Sequence, residues 1–463
     1  CHDGSAAKPS LLSEESIAAR NGQGKNPGSG KFTSAYLGLH PFVRRPGPES
    51  DHHLLTPLEY HANTSELVQM LRKGHHGVKL AREDWDRLIT WIDLNVPDHG
   101  TWGENKPIPG KFHARRMESR KLFGNITADP EVIPSAVPVK PLPKPPAPPA
   151  RTPVPTLADW PVDAAKVAKL QQDAAQRGGQ PVKQSIDLGN GAAIDLVMLP
   201  PGAFAMGSSD GDADESPATI VKIPAAYYLG AKEITNKQFA RFRPDHDSGY
   251  VSHFNKDHVN RGEPVNKPEQ PVQRVSWTDA MDFCRWLSAR TGMVVTLPDE
   301  ARWEFACRAG TSTPLAWGAV DGDFSKFANL ADVNLNRLTI RDSPDWIPVI
   351  AGANDSAVVT ADVGRYPANP WGLHDMHGNA AEWTLSLYRP YPYVAADGRN
   401  KPTPAGGDRV LRGGSYYDRP YRARSAFRLP YPPWQRVHNA GFRVLVEIPA
   451  KTAGISTTPS GAP

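Results

Sequence analysis

The groups in this sequence whose types and spacing could do chemistry are three cysteines, a close pair of histidines and a loop rich in acidic and small residues. Cys1, Cys284 and Cys307 are too few for a disulfide framework and do not fix a redox compartment. No cysteine follows Cys307, so the chain beyond it lacks the soft thiolates that hold copper(I). Cys284 and Cys307 could be read as a redox pair, but each falls within a predicted helix, where packing is the simpler role. His374 and His377 stand three apart, a spacing that suggests zinc; without further matching ligands they read as turn residues.

The elements that must position these groups are uneven in strength. Ser276 as N-cap with Asp279 three residues on, followed by Ala280, Phe283, Cys284 and Leu287 on one face, predicts a helix ending at Gly292. Pro298 and Asp299 open a second helix from about Glu300 to Arg308, with Gly310 after it. Ile194–Leu199, Ala226–Leu229, Val272–Val275 and Phe442–Val446 read as short strands. From Thr311 to Arg409 the chain is expected to be mostly loop, and oxygen-ligated metal ions are one way to order so much irregular backbone.

Toward the N-terminus, Ser65 opens a short helix with Leu67, Met70 and Leu71 on one face and Gly74 as its stop. Trp85, Leu88, Ile89 and Ile92 give a second amphipathic helix, ended by Pro97. Between this module and the rest lie ten prolines in the 22 residues Pro134–Pro155. Such a run forms neither a packed helix nor a sheet and is expected to act as a semi-rigid spacer between independently folding modules.

With 53 basic and 49 acidic side chains the formal charge is +4, without a basic stripe, so nucleic acid is not an expected partner. No apolar run approaches the roughly 20 residues that span a bilayer. The 47 prolines and 39 glycines point to a loop-rich protein.

Seven segments, in order, carry a specific resemblance: LVMLPPGAFAMGS from Leu196, KEITNKQFARF from Lys232, PVQRVSWTDAMDFCRWLSARTG from Pro271, LPDEARWEFACRAGT from Leu297, NPWGLHDMHGNAAEWT from Asn369, LRGGSYYDRPYRARSAFR from Leu411 and GFRV from Gly441. They resemble the sulfatase-modifying-factor family, to which formylglycine-generating enzymes belong. The resemblance implies an irregular α+β domain related to C-type lectins over residues 184–447. It is preceded by a lead-in and linker over 127–183 and a small, mainly α module over 1–126, and followed by a disordered tail over 448–463.

Active members of that family oxidise a substrate cysteine on copper held by two cysteines, and Asp418 and Ala423 stand near those places here. Copper is therefore not expected, nor is formylglycine-forming oxidation. Ala381 replaces the first tryptophan of the family's usual signature. Calcium is the cofactor that the resemblance implies. One set would be Asp375 and Glu382 with the carbonyls of Gly378 and Ala380. A second would be Asn329 and Asp355 with the carbonyls of Leu330 and Ala357, and Glu233 matches a further ligand position. Trp383, Arg412, Ser415, Tyr416, Tyr417, Arg424, Arg428 and Trp434 suggest the groove in which active relatives seat a peptide, so a peptide or protein ligand is the expected partner.

Residues His40–Trp102 resemble hydrazine-synthase alpha-subunit-like domains fused to cytochromes. Cys1 and His2 would then be the second half of a C-x-x-C-H haem attachment, with haem c bound if that motif is complete upstream; the rival is a lipidated N-terminal cysteine. His75 or His76 could face such a haem, or simply form a solvated turn. The expected function is an extracytoplasmic, periplasmic-type binding or scaffold protein. The alternatives are a haem electron-transfer protein whose C-terminal domain docks a partner, and an oxidoreductase built on a different metal centre.

Overall fold

The computed structural model describes residues 15–17, 31–46, 59–98, 110–130, 132, 152–253, 262–338, 347–403 and 406–449. Cys1, His2, most of the proline-rich run and the C-terminal tail lie outside them. The architecture is a mixed helix and strand domain preceded by a mainly helical module.

A five-stranded sheet forms one wall of the larger domain. Its order runs Val295–Thr296, Leu445–Glu447, Tyr227–Gly230, Ala192–Leu199 and Lys183–Gly189, with every neighbouring pair antiparallel. A second sheet has the order Leu429–Tyr431, Arg409–Arg412, Ala381–Leu387 and Ala440–Gly441, the last pair being parallel. Between the sheets lies the Trp277–Thr291 helix. It starts at Ser276, whose Oγ accepts from Asp279 N while the Asp279 side chain reaches back, and ends at Gly292 at φ 71°. Phe283, Cys284 and Leu287 on its inner face join Phe239, Phe442 and Val446 in one core.

The Glu300–Arg308 helix is capped by Asp299 and buries Trp303, Phe305 and Cys307 in a second core against Phe204, Leu229 and Trp371. The two thiols therefore sit in separate cores, and both are free. Burial pushes the Cys284 thiol far up and the Cys307 thiol up to about 12, so neither is a thiolate.

Two expectations fail on local grounds. Val272–Val275 forms no strand: Arg274 takes a left-handed φ of 54°, which breaks an extended run. The lead-in is not all linker. Asp163 caps a helix over Ala164–Gly178, which buries Val167, Gln171, Ala174 and Ala175, and Gln171 Nε2 donates to the Met198 and Trp371 carbonyls.

In the N-terminal module the helices Glu66–Arg72 and Arg82–Asp93 close over Val43, Leu67, Val68, Ile92 and Val96. Gly74 sits at φ 84° as the stop, and the turn His75–Gly77 leaves His76 exposed. The module is not held apart from the domain. It packs on it through polar side chains such as Asn63, Gln69 and Lys73.

Candidate functional site

The candidate ligand loops are built around one tight turn. Asp375 and Asn379 take left-handed φ values of 56° and 59°, and Gly378 lies at 87°. A Cβ on Gly378 would come within 2.2 Å of the Asn329 carbonyl oxygen, so only glycine lets the two loops close this tightly. Asn379 N–H donates to Asn329 O (2.9 Å) and Asn329 Nδ2 donates to Asn379 Oδ1 (3.1 Å), which interlocks the two proposed ligand sets.

Glu233, Asp375 and Glu382 converge on this turn, and all are buried. Glu233 accepts from Ala380 N (3.0 Å) and Asn379 Nδ2 (3.1 Å), and Asp375 Oδ2 accepts from Gly364 N (2.6 Å). Glu382 accepts from Trp303 Nε1 (2.7 Å) and from Arg443, whose Nη2 lies 2.6 Å from Oε1. Three carboxylates thus face one guanidinium. Burial, together with Asp375 and Glu382, pushes Glu233 well above the ordinary carboxylate range, and burial pushes Asp375 up as well. The second set shows the same strain. Asp355 accepts from Leu330 N (2.9 Å) and Ala357 N (2.8 Å), and its pKa is pushed up to about 7 by burial, with Asp332 nearby adding to the rise. A divalent cation with oxygen ligands would answer such an excess of buried acid, although among the described residues the acids whose ligand atoms lie within 4.8 Å of one another are Asp212, Asp214 and Glu215. Asp332 and Asn379 are the members that sequence reasoning missed; neither stands in a recognisable ligand spacing.

The residues expected to line a groove separate into two sets. Trp383, Arg412, Arg424 and Arg428 are interior supports. Trp383 is fully enclosed, with Nε1–H donating to Val275 O (2.9 Å). Arg412 binds Glu304 and the Phe427 carbonyl, Arg424 grips both oxygens of Glu215 at 2.7 Å, and Arg428 binds Glu300. They do not line an open cleft, because each guanidinium is already committed to a buried acid. Tyr417 lines a cleft, Ser415 and Tyr416 are buried, and Trp434 is 58% exposed.

Asp418 lines that cleft, whereas Ala423 lies in a separate core with Leu315, Phe324 and Leu330. Asp418 accepts from Ser415 Oγ (2.8 Å) and pairs with Arg422 Nε (2.6 Å), while Asn439 Nδ2 donates to Ser415 Oγ (2.7 Å). Ala423 is enclosed, and its carbonyl accepts from His377 Nδ1–H (2.7 Å). His377 Nε2 lies 3.4 Å from the Cys307 sulfur and accepts from Ala316 N (3.1 Å). Burial lowers this imidazole to about 4, so the pair is a neutral thiol and a neutral ring.

The N-terminal module covers the same cleft. Asn63 and Gln435 exchange side-chain amide bonds of 2.6 and 2.9 Å. Gln69 donates to Tyr431 Oη (2.7 Å) and accepts from Arg422. Lys73 Nζ lies 2.8 Å from Asp212 and 3.3 Å from Asp214, donates to Arg428 O (2.8 Å) and sits 3.8 Å above the Phe427 ring. Glu59 bridges Arg44 (2.9 Å) and Arg274 (3.0 Å) across the seam. Long-range pairs of this kind leave no local period in a sequence.

Residues 188–448 match the family model of the sulfatase-modifying factor enzyme 1-like domain. The formylglycine-generating enzyme of Bos taurus is 30% identical over 298 residues, covering 54% of this chain and 73% of that protein. The inactive C-alpha-formylglycine-generating enzyme 2 of Bos taurus is 29% identical over 303 residues, covering 56% and 90%. Among solved structures, PvdO from Pseudomonas aeruginosa aligns over 58% of this chain and 100% of its own at 23% identity, with a TM-score of 0.46. The family match starts after the N-terminal module and the Ala164–Gly178 helix. Through residues 188–448 this chain belongs to the sulfatase-modifying-factor family.

Proposed function

We propose that this chain is an extracytoplasmic binding or scaffold protein whose family-type cleft grips protein instead of oxidising it, with its own N-terminal module as one such ligand. The observation that carries the reading is the pinned carboxylate in the cleft. Asp418 is neutralised by Arg422 and bonded by Ser415, beside an enclosed Ala423, where copper chemistry requires two thiolates. Asp418 and Ala423 offer no soft ligand, and the buried thiol of Cys307 stays protonated.

Calcium would be held by Glu233 and Asp375 with the Gly378 and Ala380 carbonyls, and by Asn329 and Asp355 with those of Leu330 and Ala357. Glu382 would contribute its charge while shared with Arg443 and Trp303. Bound there, the ion supplies the positive charge that these loops lack. The residues themselves do the orienting: Asn329 and Asn379 lock the loops, and the strand Ala381–Leu387 pairs with Arg409–Arg412, whose other neighbour Leu429–Tyr431 reaches the cleft.

The test is to incubate the full chain with copper, reductant, oxygen and a panel of cysteine peptides, and to weigh the peptides by mass spectrometry. Unchanged peptide masses are expected. Reproducible formation of the aldehyde product would overturn the non-oxidising reading.

A further inference from the structure

A second cavity, away from the cleft, is built partly from residues outside the family match. The turn Leu157–Trp160 and the Ala164–Gly178 helix pack against the second core, with Val162 N–H donating to Gly310 O (2.9 Å). Between them and the domain lies a trough of about 380 Å³, within the size range of ligand sites. Its walls include Leu157, Trp160, Pro200, Pro201, Phe305 and Trp371. Trp160 meets Phe204 edge-on at 5.9 Å, and Phe305 and Trp371 are tilted together at 5.7 Å, so the rings are fixed.

The lining is selective in its polarity. The indole N–H groups of Trp160 and Trp371 are enclosed and have no hydrogen-bond acceptor, and Trp371 is only 2% exposed. Indole is a donor and nothing else. The wall that an occupant meets is thus aromatic and prolyl surface, which suits an occupant poor in N–H donors that would need partners. Proline is the residue of that kind, since it has no N–H, and its ring stacks on aromatic walls in polyproline recognition.

A segment of that kind precedes the trough in the sequence. Pro134–Pro155 holds ten prolines, and the described chain resumes at Thr152, five residues before Leu157, which lines the trough. Pro145 to Pro149 lie eight to twelve residues before Leu157, a reach of roughly 25 to 37 Å at about 3.1 Å per residue. Lys140 and Lys144 accompany them with no acidic residue, while the trough's edge carries both Asp159 and Lys166, 3.8 Å apart, so charge neither favours nor opposes the segment.

We infer that the trough between Trp160, Phe305 and Trp371 is a polyproline-binding site, and that its occupant is the segment Pro134–Ala150 of the same chain. The consequence is that the spacer is tethered back onto the family domain, which shortens its span and helps keep the N-terminal module near the cleft.

The test uses the full chain, and a full-length variant in which residues 134–150 are replaced by a Gly/Ser run of equal length. The probe is a synthetic peptide of residues 134–150, followed by tryptophan fluorescence and calorimetry. The replaced chain should bind the peptide. The native chain should bind it at least about tenfold more weakly, because a tethered competitor acts at an effective concentration on the order of millimolar. In the replaced background, Trp371→Phe should weaken binding at least fivefold. Trp160→Ala, at a half-exposed position, should do the same and guards against a folding defect at the enclosed ring. Failure of the replaced chain to bind would overturn the proposal. Equal binding by native and replaced chains, or a concentration-dependent dimer that the peptide dissolves, would overturn the assignment of the occupant to the same chain.

Discussion

Two buried polar regions of the family domain touch the same indole and balance their charge in opposite ways. On one side of Trp303, Glu300 and Glu304 face Arg308, Arg412 and Arg428, and the guanidiniums that exceed the acids are completed by carbonyls and by the Tyr388 and Tyr391 rings. On the other side, Glu233, Asp375 and Glu382 face one guanidinium, that of Arg443, with His374 beside Asp375. The first region answers every anion from within the chain. The second does not, and must draw its balance from protons or a cation. Similar residue types, placed about one ring apart, thus produce a structural girder and a candidate ion site.

The largest effect is expected where balance is complete. Glu304→Ala strands Arg412 and Arg308 without their shared acid, and removing one member of a buried pair costs about 3–5 kcal/mol. Urea midpoints should fall accordingly, whether or not calcium is present. A loss below about 1 kcal/mol would mean that the arginines find other partners.

A smaller effect separates the two regions. If the carboxylate loops bind calcium, saturation at about 100 times Kd adds roughly 2.7 kcal/mol, and chelation in metal-stripped protein lowers the Tm by the same linkage. Asp375→Asn should remove most of that dependence, while Glu304→Ala should leave it intact. Identical melting curves with and without chelator would return Glu233, Asp375 and Asp355 to the role of protonated loop acids.

Smaller again is a pH effect at the seam, where two guanidiniums answer one acid. Burial opposes the charge on Glu59, but Arg44 and Arg274 outweigh it and hold its carboxyl below the ordinary glutamate range. Its contribution is therefore complete above that range and is lost as the pH falls through the lowered value. Protease cleavage between residues 98 and 152 should accelerate on acidification below the carboxylate range, and Glu59→Gln should flatten that response. An unchanged profile in Glu59→Gln would place the pH sensitivity elsewhere.

The parts of this architecture that were legible in the sequence are those written locally. Ser276 with Asp279 and Gly292, Asp299 before Glu300, and Ser65 with Gly74 each announce an element through a cap or a stop, and the helices follow. The Ala164–Gly178 helix was not legible as packed structure, because its buried face is Val167, Gln171, Ala174 and Ala175, small or polar positions that make a weak apolar period. The hairpin Gly202–Met206 with Thr219–Ile223 was hidden for the same reason: alanine and glycine give its first strand little alternation. The carboxylate turn could be read from HDMHGNAAEW through resemblance, whereas Asp332 and Asn379 join the site only through folding. The seam was invisible, since Asn63 and Gln435 lie 372 residues apart.

The central claim is that the cleft around Ser415–Tyr431 is a protein-binding surface held by the N-terminal module, and Lys73 is its most direct probe. Its ammonium enters an acidic cradle on the family domain and touches no catalytic candidate. Hydrogen exchange should be measured by mass spectrometry on the native chain and on Lys73→Ala. The account predicts that protection falls together in residues 59–73 and 415–431, by at least about tenfold, equivalent to about 1.4 kcal/mol. Loss of protection confined to residues 59–73, with 415–431 unchanged, would contradict it.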